Sequence, residues 1–329
     1  PLLGEKGVKG PVGKIIDILA VFATAAGIAT SLGLGAMQIN SGLNLVFGVP
    51  KNNLVVFIIV AVITVIYIWT ALAGVDKGIK LACDTNIIIA GWLMVVCLII
   101  GPTVDILRNL LEGVGQYVMT FPGSAMEMGA FSENPSWYGT WTVFYWAWWI
   151  AWAPFTGGFI ARISKGRTIQ EFIAGVLLLP AGASFIWFAI FGTMGINVGN
   201  QVGLEAVKEM VADTSTTLFL VLQHYPLATI LSVIVVVLLC TFFITSANSA
   251  TFVLGMMSSE GDLNPSNSRK FIWGVLQAAL ALVLMLCTTN GLNMLQTISI
   301  VAAFPFAFIL LFAIVAVMKG LKTDPAVKK

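Results

Sequence analysis

Charge is scarce in this sequence. Lys, Arg, Asp and Glu make up 10% of its 329 residues, against roughly 25% in a soluble domain, and that excludes a water-soluble globule. Histidine occurs once, as His224, so chemistry needing several imidazoles has no material to work with. Four cysteines (Cys83, Cys97, Cys240 and Cys287) lie in or beside apolar runs without metal-ligand spacing. They read as small packing residues, not as disulfides or ligands. Ionisable groups are also nearly missing from the apolar stretches: Asp17 lies beside Lys14, and Asp105 beside Arg108, both near stretch ends. A proton relay through a membrane normally shows as intramembrane ionisable residues, so their scarcity argues against a proton pump. It also leaves an intramembrane enzyme without the His, Asp or Glu set it needs. A bound ligand would find no buried counter-ion, which favours a solute that is zwitterionic or neutral overall. The opening PLLGEKGVKGPVGK has no apolar core and is neither a signal peptide nor a first helix. Beginning at Pro1, the sequence reads as if it starts in a loop.

What is abundant is apolar length. The chain is 58% hydrophobic, with a mean hydropathy of +0.96. Eight stretches reach the ~20 residues that a membrane crossing requires: 15–47, 53–74, 86–107, 138–161, 173–195, 226–257, 270–288 and 293–318. The first and sixth are over-long and should tilt or kink. Segments 109–121 and 216–223 read as amphipathic surface pieces, and Asn290–Gly291 as a turn between the last two spans. The fold class expected is an all-α membrane protein, a polytopic helical bundle, with residues 1–329 forming one transmembrane domain. Fourteen of the seventeen Lys and Arg fall in loops on one side, among them Lys6, Lys80, Lys165, Arg167, Lys270 and Lys322. Only Lys51, Arg108 and Lys208 fall on the other. The positive-inside rule then puts both ends of the chain in the cytoplasm.

Six of the ten tryptophans crowd between Trp137 and Trp152. Tyr145, Trp148, Trp149 and Trp152 stand at offsets 0, 3, 4 and 7, which puts them on one face of a helix. An aromatic face in a charge-poor membrane suits a cation that has no N–H to donate, such as a quaternary ammonium held by cation–π attraction. An interfacial aromatic belt is the alternative, but a belt needs only one or two rings per helix end. Pro154 and Gly157–Gly158 follow the stripe and should break the helix there, freeing backbone groups to meet a ligand.

A second polar feature is TFFITSANSATF, carrying Thr241, Thr245, Ser246, Asn248, Ser249 and Thr251. Hydroxyls and the carbonyls of a loosened helix are hard ligands that suit Na⁺; interhelical hydrogen bonding is the alternative. In the first span Gly27, Ser31 and Gly35 repeat every four residues, a small-residue face for close helix packing. His224, in LQHYP, reads as a solvated loop residue.

FYWAWWIAWAPF followed by FIARISKGRT, together with ATSLGLGAMQI and TFFITSANSA, resembles the betaine/choline/carnitine transporter family, and the likeness runs over the whole chain. The resemblance implies a twelve-helix fold whose last ten helices form two inverted five-helix repeats, with trimeric assembly. This chain would align with helices five to twelve, the C-terminal portion, so the inverted-repeat fold would be partial. By the same resemblance Trp149 would stack on a trimethylammonium group, while Trp148 and Trp152 would line its path. Phe242, Thr245 and Ser246 match a sodium site of the family. Thr24 and Phe155 match part of a second one, where Ile28 replaces a threonine.

The reading that results is a secondary transporter of the plasma (inner) membrane that imports glycine betaine or a related trimethylammonium osmolyte. Import would be driven by Na⁺, with alternating access around the tryptophan cage and osmoprotection as the role. Neither covalent chemistry nor a cofactor beyond Na⁺ as coupling ion is expected, nor a transition metal. The partners expected are the small quaternary ammonium substrate, the lipid bilayer and two further copies of the chain, and not a nucleic acid. Two rivals remain: a proton-coupled choline carrier or carnitine exchanger of the same family, and a membrane sensor or scaffold in which the stripe merely packs.

Overall fold

The computed structural model describes residues 2–73, 76–259, 261–286 and 291–323. All regular structure among them is helical. In chain order the helices are α1 (Gly4–Lys9), α2 (Pro11–Phe47), α3 (Asn53–Leu72), α4 (Asp76–Ile100), α5 (Thr103–Met126), α6 (Pro135–Tyr138), α7 (Phe144–Ile163), α8 (Ile169–Val202), α9 (Leu204–Ala212), α10 (Thr217–Leu222), α11 (Ala228–Met257), α12 (Asn267–Leu286) and α13 (Gly291–Thr323). A π turn, Gly139–Val143, joins α6 to α7.

Seven of these helices are long and apolar enough to cross a membrane: α2, α3, α4 from Lys80, α8, α11, α12 and α13. The remaining expected crossing, 138–161, is α7. It has the length, but its tryptophans and tyrosine hold its hydropathy down, because each large ring carries a polar N–H or O–H. The spans turn much of their apolar surface outward. Only 6% of the most apolar window of α8 is buried, and Leu177, Leu178 and Leu179 are all exposed. Such faces suit hydrocarbon, with the backbone satisfied inside each helix.

Local chemistry sets the helix ends. Asn52 caps α3 by accepting a hydrogen bond from the Val55 amide at 3.0 Å. Thr168 and Glu171 form a reciprocal capping box at the start of α8, satisfying two orphan donors. Gly203, with φ +87°, ends α8 and opens α9, which the hydropathy pattern did not announce. The stretch expected over 86–107 divides at Gly101–Pro102, where Pro cannot continue the ladder. Thr103 donates its hydroxyl to the Leu98 carbonyl at 2.7 Å, closing α4 as α5 begins. The amphipathic piece expected at 109–121 lies within α5, whose only buried side chain among those described is Ile106. The other, 216–223, is α10, and it is not a surface piece: Phe219, Val221 and Leu222 are buried. Gly42 of α2 makes that burial possible, since a Cβ there would meet Phe219 Cζ and Val236 Cγ2 at 2.5 Å. Cys287, and Asn290 of the expected turn, lie outside the described residues.

The helices gather into two compact units, each assembled from separated pieces of chain. Unit 1 is Pro1–Gly33, Glu127–Arg162 and Ser249–Lys329; unit 2 is Leu34–Met126 and Ile163–Asn248. In unit 1, Ala147 and Ala151 of α7 pack on Ala303 of α13, with Ile150 and Ile300 around them. Small residues let these helices approach closely. The Thr30 hydroxyl ties α2 to α13 through the Leu295 carbonyl and the Ser299 hydroxyl, both at 2.8 Å. In unit 2, Asn248 of α11 donates to Thr70 Oγ1 and the Tyr67 carbonyl of α3, at 2.8 and 3.3 Å. Ser41 and Ser215 join hydroxyls at 2.7 Å.

Candidate functional site

The tryptophan stripe begins one turn after the π turn, a widened stretch of helix that often accompanies a site. From Phe144 the helix α7 runs unbroken through Pro154 to Ile163, so the break expected at Pro154 and Gly157–Gly158 does not occur. Pro154 removes one donor, leaving the Ile150 carbonyl without its helical partner, and membrane helices tolerate this. Gly157 and Gly158 face open space where a Cβ would stand, so close packing is not what they supply.

The stripe divides into two edges. Trp148 and Trp152 lean toward α2, and both indole N–H groups donate to the Gly27 carbonyl, at 3.2 and 3.1 Å. Ser31 donates to the same oxygen at 3.2 Å. Gly27 can be no larger: a Cβ would stand 2.9 Å from Trp152 Cδ1 and 3.2 Å from Ala151 Cβ. The small-residue face expected at Gly27 is thus a packing face whose carbonyl also orients two indoles. Behind it the rings continue, with Phe144 stacked on Trp148 at 5.3 Å and 18°, and Trp152 edge-on to Phe155 at 5.2 Å. On the other edge Trp141 stacks on Tyr145 at 5.5 Å. Trp149 is 70% exposed, with neither a hydrogen bond nor a ring partner among the described residues. The structure therefore brings Trp148 and Trp152 together on one acceptor and leaves Trp149 facing outward.

The hydroxyl run lies on α11, which is continuous from Ala228 to Met257; the loosening expected there is absent. Its hydroxyls bond back one turn instead. Thr241 donates to Val237 and Leu238 carbonyls, each at 3.0 Å. Thr245 donates to Thr241 and Phe242 carbonyls, at 3.0 and 3.2 Å. This back-bonding satisfies the hydroxyl proton within the helix and directs the oxygen lone pairs away from it. Thr245 is buried, Ser246 half-buried and Phe242 exposed. Against Thr245 stands Asn86 of α4, 2% exposed, whose Nδ2 donates to Thr245 Oγ1 at 3.3 Å. The Asn86 Oδ1 is buried without a hydrogen-bond partner among the described residues. Asn86 was not among the residues expected from sequence; it follows Asp84 and Thr85 at the polar start of an apolar run, where an amide draws no notice. The Thr245 hydroxyl and the Asn86 amide, side by side, are hard oxygen-bearing groups of the kind that suit an alkali cation; Ser246 is the next residue on the same helix.

Thr24 and Phe155 do not make a comparable set. Both are buried in unit 1, but among the described residues the Thr24 hydroxyl reaches only the Met257 thioether, at 3.9 Å. Ile28, one turn from Thr24 on the same helix, is buried as well.

Elsewhere in unit 2, Lys51 pairs with Asp213, and Asp213 Oδ1 also accepts from the Ser215 amide and hydroxyl, at 3.0 and 2.6 Å. Burial pushes the Asp213 carboxyl up, but Lys51 and Ser215 outweigh it and hold it below its ordinary value. A cavity of about 890 Å³ opens between α5 and α8, with Asn109, Gln116, Tyr117, Phe185 and Thr193 among its lining. None of the expected site residues lines it.

Comparison with known proteins comes to the same region of chemistry. The sequence model described as betaine/carnitine/choline family transporter matches residues 1–326. Over 325 residues the chain is 45% identical to the glycine betaine transporter OpuD of Bacillus subtilis (strain 168), covering 98% of this chain and 62% of OpuD. It is 43% identical to a probable glycine betaine transporter of Desulfitobacterium hafniense (strain Y51), covering 98% of this chain and 64% of that protein. It is 40% identical to the ectoine/glycine betaine/proline transporter EctP of Corynebacterium glutamicum, covering 99% of this chain and 53% of EctP. The chain thus spans less than two thirds of the length of each of these relatives.

Proposed function

Because this chain belongs to the betaine/carnitine/choline transporter family, we propose that it serves a secondary transporter that imports glycine betaine or a related trimethylammonium osmolyte, coupled to Na⁺. The observation that carries the reading is the fixing of Trp148 and Trp152 on one carbonyl, that of Gly27. Their N–H groups are spent, so what they offer a solute is the ring face, and a ring face attracts a cation that cannot hydrogen-bond. Trp149, on the same helix, adds an indole that is 70% exposed. The coupling ion belongs with Thr245, Ser246 and Phe242 in this reading, since Thr245 and Ser246 present oxygen to it. Alternating access around the cage, trimeric assembly, cytoplasmic chain ends and a role in osmotic protection complete the proposal.

The deciding experiment is a titration followed by tryptophan fluorescence, with betaine, choline, carnitine, proline and ectoine, each in NaCl and in KCl of equal strength. A saturable change with betaine that is tighter in Na⁺ than in K⁺ is expected. Saturation by choline with equal affinity in both salts, shifting instead with pH, would transfer the assignment to a proton-coupled choline carrier. No response to any of the five would leave the stripe as packing.

A further inference from the structure

We infer that Asn86 of α4 supplies an amide oxygen to the Na⁺ that Thr245 and Ser246 hold; the inference rests on the sodium-coupled reading above. On α4 most polar side chains stand exposed, and the buried positions from Lys80 onward are Asn86, Leu93 and Cys97. Their offsets of 0, 7 and 11 form a single inward stripe. An amide therefore occupies a place on that stripe where burial favours a hydrocarbon, and burying an amide costs free energy unless both its ends are satisfied.

Neither orientation of this amide satisfies both ends among the described residues. As described, Nδ2 donates to Thr245 Oγ1 at 3.3 Å and Oδ1 has no partner. The two ends of an Asn side chain are told apart by their hydrogen bonds, so the turned orientation must be weighed as well. Turned over, the amide oxygen would face Thr245 Oγ1, whose proton is directed to carbonyls of its own helix, and two oxygens would confront each other. A cation resolves that confrontation. Oxygens bound at about 2.4 Å to a hard cation in octahedral array stand about 3.4 Å apart, close to the separation seen between Asn86 and Thr245. The plain alternative is that Asn86 is only a hydrogen-bonding link between α4 and α11, of the kind Asn248 makes between α11 and α3.

The test is thermal unfolding of the purified protein in detergent, without betaine, as NaCl replaces KCl at constant ionic strength. A ligand that binds the folded state raises the unfolding temperature by mass action, so the wild type should show a Na⁺-specific rise with a definable half-saturating concentration. Asn86→Ala should raise that concentration at least about tenfold, the loss typical when a metal site loses a supporting group. Asn86→Asp, which keeps the oxygen and adds charge, should lower it and give a response to Ca²⁺ that the wild type lacks. Should Asn86→Ala not fold, Asn86→Asp carries the test alone. Variants that unfold earlier in both salts, with the half-saturating Na⁺ unchanged, would overturn the inference and leave Asn86 as a link between helices. A wild type with no Na⁺-specific rise would overturn the sodium-coupled reading itself.

Discussion

Trp149 and Trp152 stand three residues apart on one helix and should respond in opposite ways to the same substitution. Trp152 is half-buried, bonded through its N–H to Gly27 and edge-on to Phe155, so Trp152→Ala should lower the unfolding temperature. Trp149 is exposed, so Trp149→Ala should leave folding intact while weakening binding of a trimethylammonium solute. A desolvated cation–π contact is worth about 2 kcal/mol, about thirtyfold in affinity. Trp149→Phe should keep part of it, and Trp137→Ala, outside the stripe, should do little. Paired melting curves and fluorescence titrations of the four variants check this, and equal binding losses at Trp137 and Trp149 would favour packing. The offsets of the stripe were legible in the sequence because a helix fixes which residues share a face. Which edge turns inward was not, because that depends on Gly27 and Ala303, more than a hundred residues away on either side. Asp213 gives a second residue-scale expectation. Its carboxyl pKa is lowered on folding by Lys51 and Ser215 against the opposing effect of burial. The stabilisation it brings is therefore present above the unfolded value of about 3.9 and is lost as pH falls through the lower folded value. Asp213→Asn should unfold more easily than wild type near neutrality, and the difference should narrow as pH falls below the unfolded value of about 3.9; a difference that does not narrow in acid would show that the carboxylate charge is not the cause.

At the scale of the element, length and polarity told where helices run, and glycine told where they meet. Helix α2 keeps the limits that its apolar run suggested within a few residues, and so does α11. What sequence could not show was that Pro154 would be carried inside α7 and that the irregular turn would come earlier, at Gly139–Val143. A proline fixes only its own backbone and the loss of one donor; whether a membrane helix bends there depends on neighbours that accept or replace the lost bond. The burial of α10 was equally hidden, since the room for Phe219 is made by Gly42, in a helix far away in sequence. These glycines make different predictions. At Gly27 a methyl group would stand 2.9 Å from Trp152, so Gly27→Ala must displace the indole, at the cost of about 1–3 kcal/mol that overpacking typically brings. A lower unfolding temperature and a shifted tryptophan emission are expected. Gly157→Ala and Gly158→Ala meet open space and should melt no earlier than wild type. If all three behave alike, close packing of α2 on α7 is not what Gly27 provides.

For the whole molecule, the division into two units was beyond the reach of the sequence, because each unit is assembled from pieces of chain that are not consecutive. Sidedness is what the loop-by-loop count of basic residues proposes. One ion pair bears on that count: Lys51, between α2 and α3, meets Asp213, between α9 and α10, and the tally assigns both residues to the same, sparsely basic face. Their meeting requires the two loops to share a side, as an even number of crossings between them would give. In the proposed orientation the loop holding Lys165 and Arg167, on the basic side of the count, faces the cytoplasm. Surface labelling can read this directly in intact cells expressing the protein in a background where Cys83, Cys97, Cys240 and Cys287 are replaced. Lys165→Cys and Glu133→Cys are both at exposed positions, whereas Ser215 is buried against Ser41 and would report poorly from either side. A membrane-impermeant maleimide should modify the cysteine at 133 from outside, and reach the one at 165 only after the membrane is opened. Modification at 165 in sealed cells, with 133 protected, would reverse the orientation and place the sparsely basic loops in the cytoplasm.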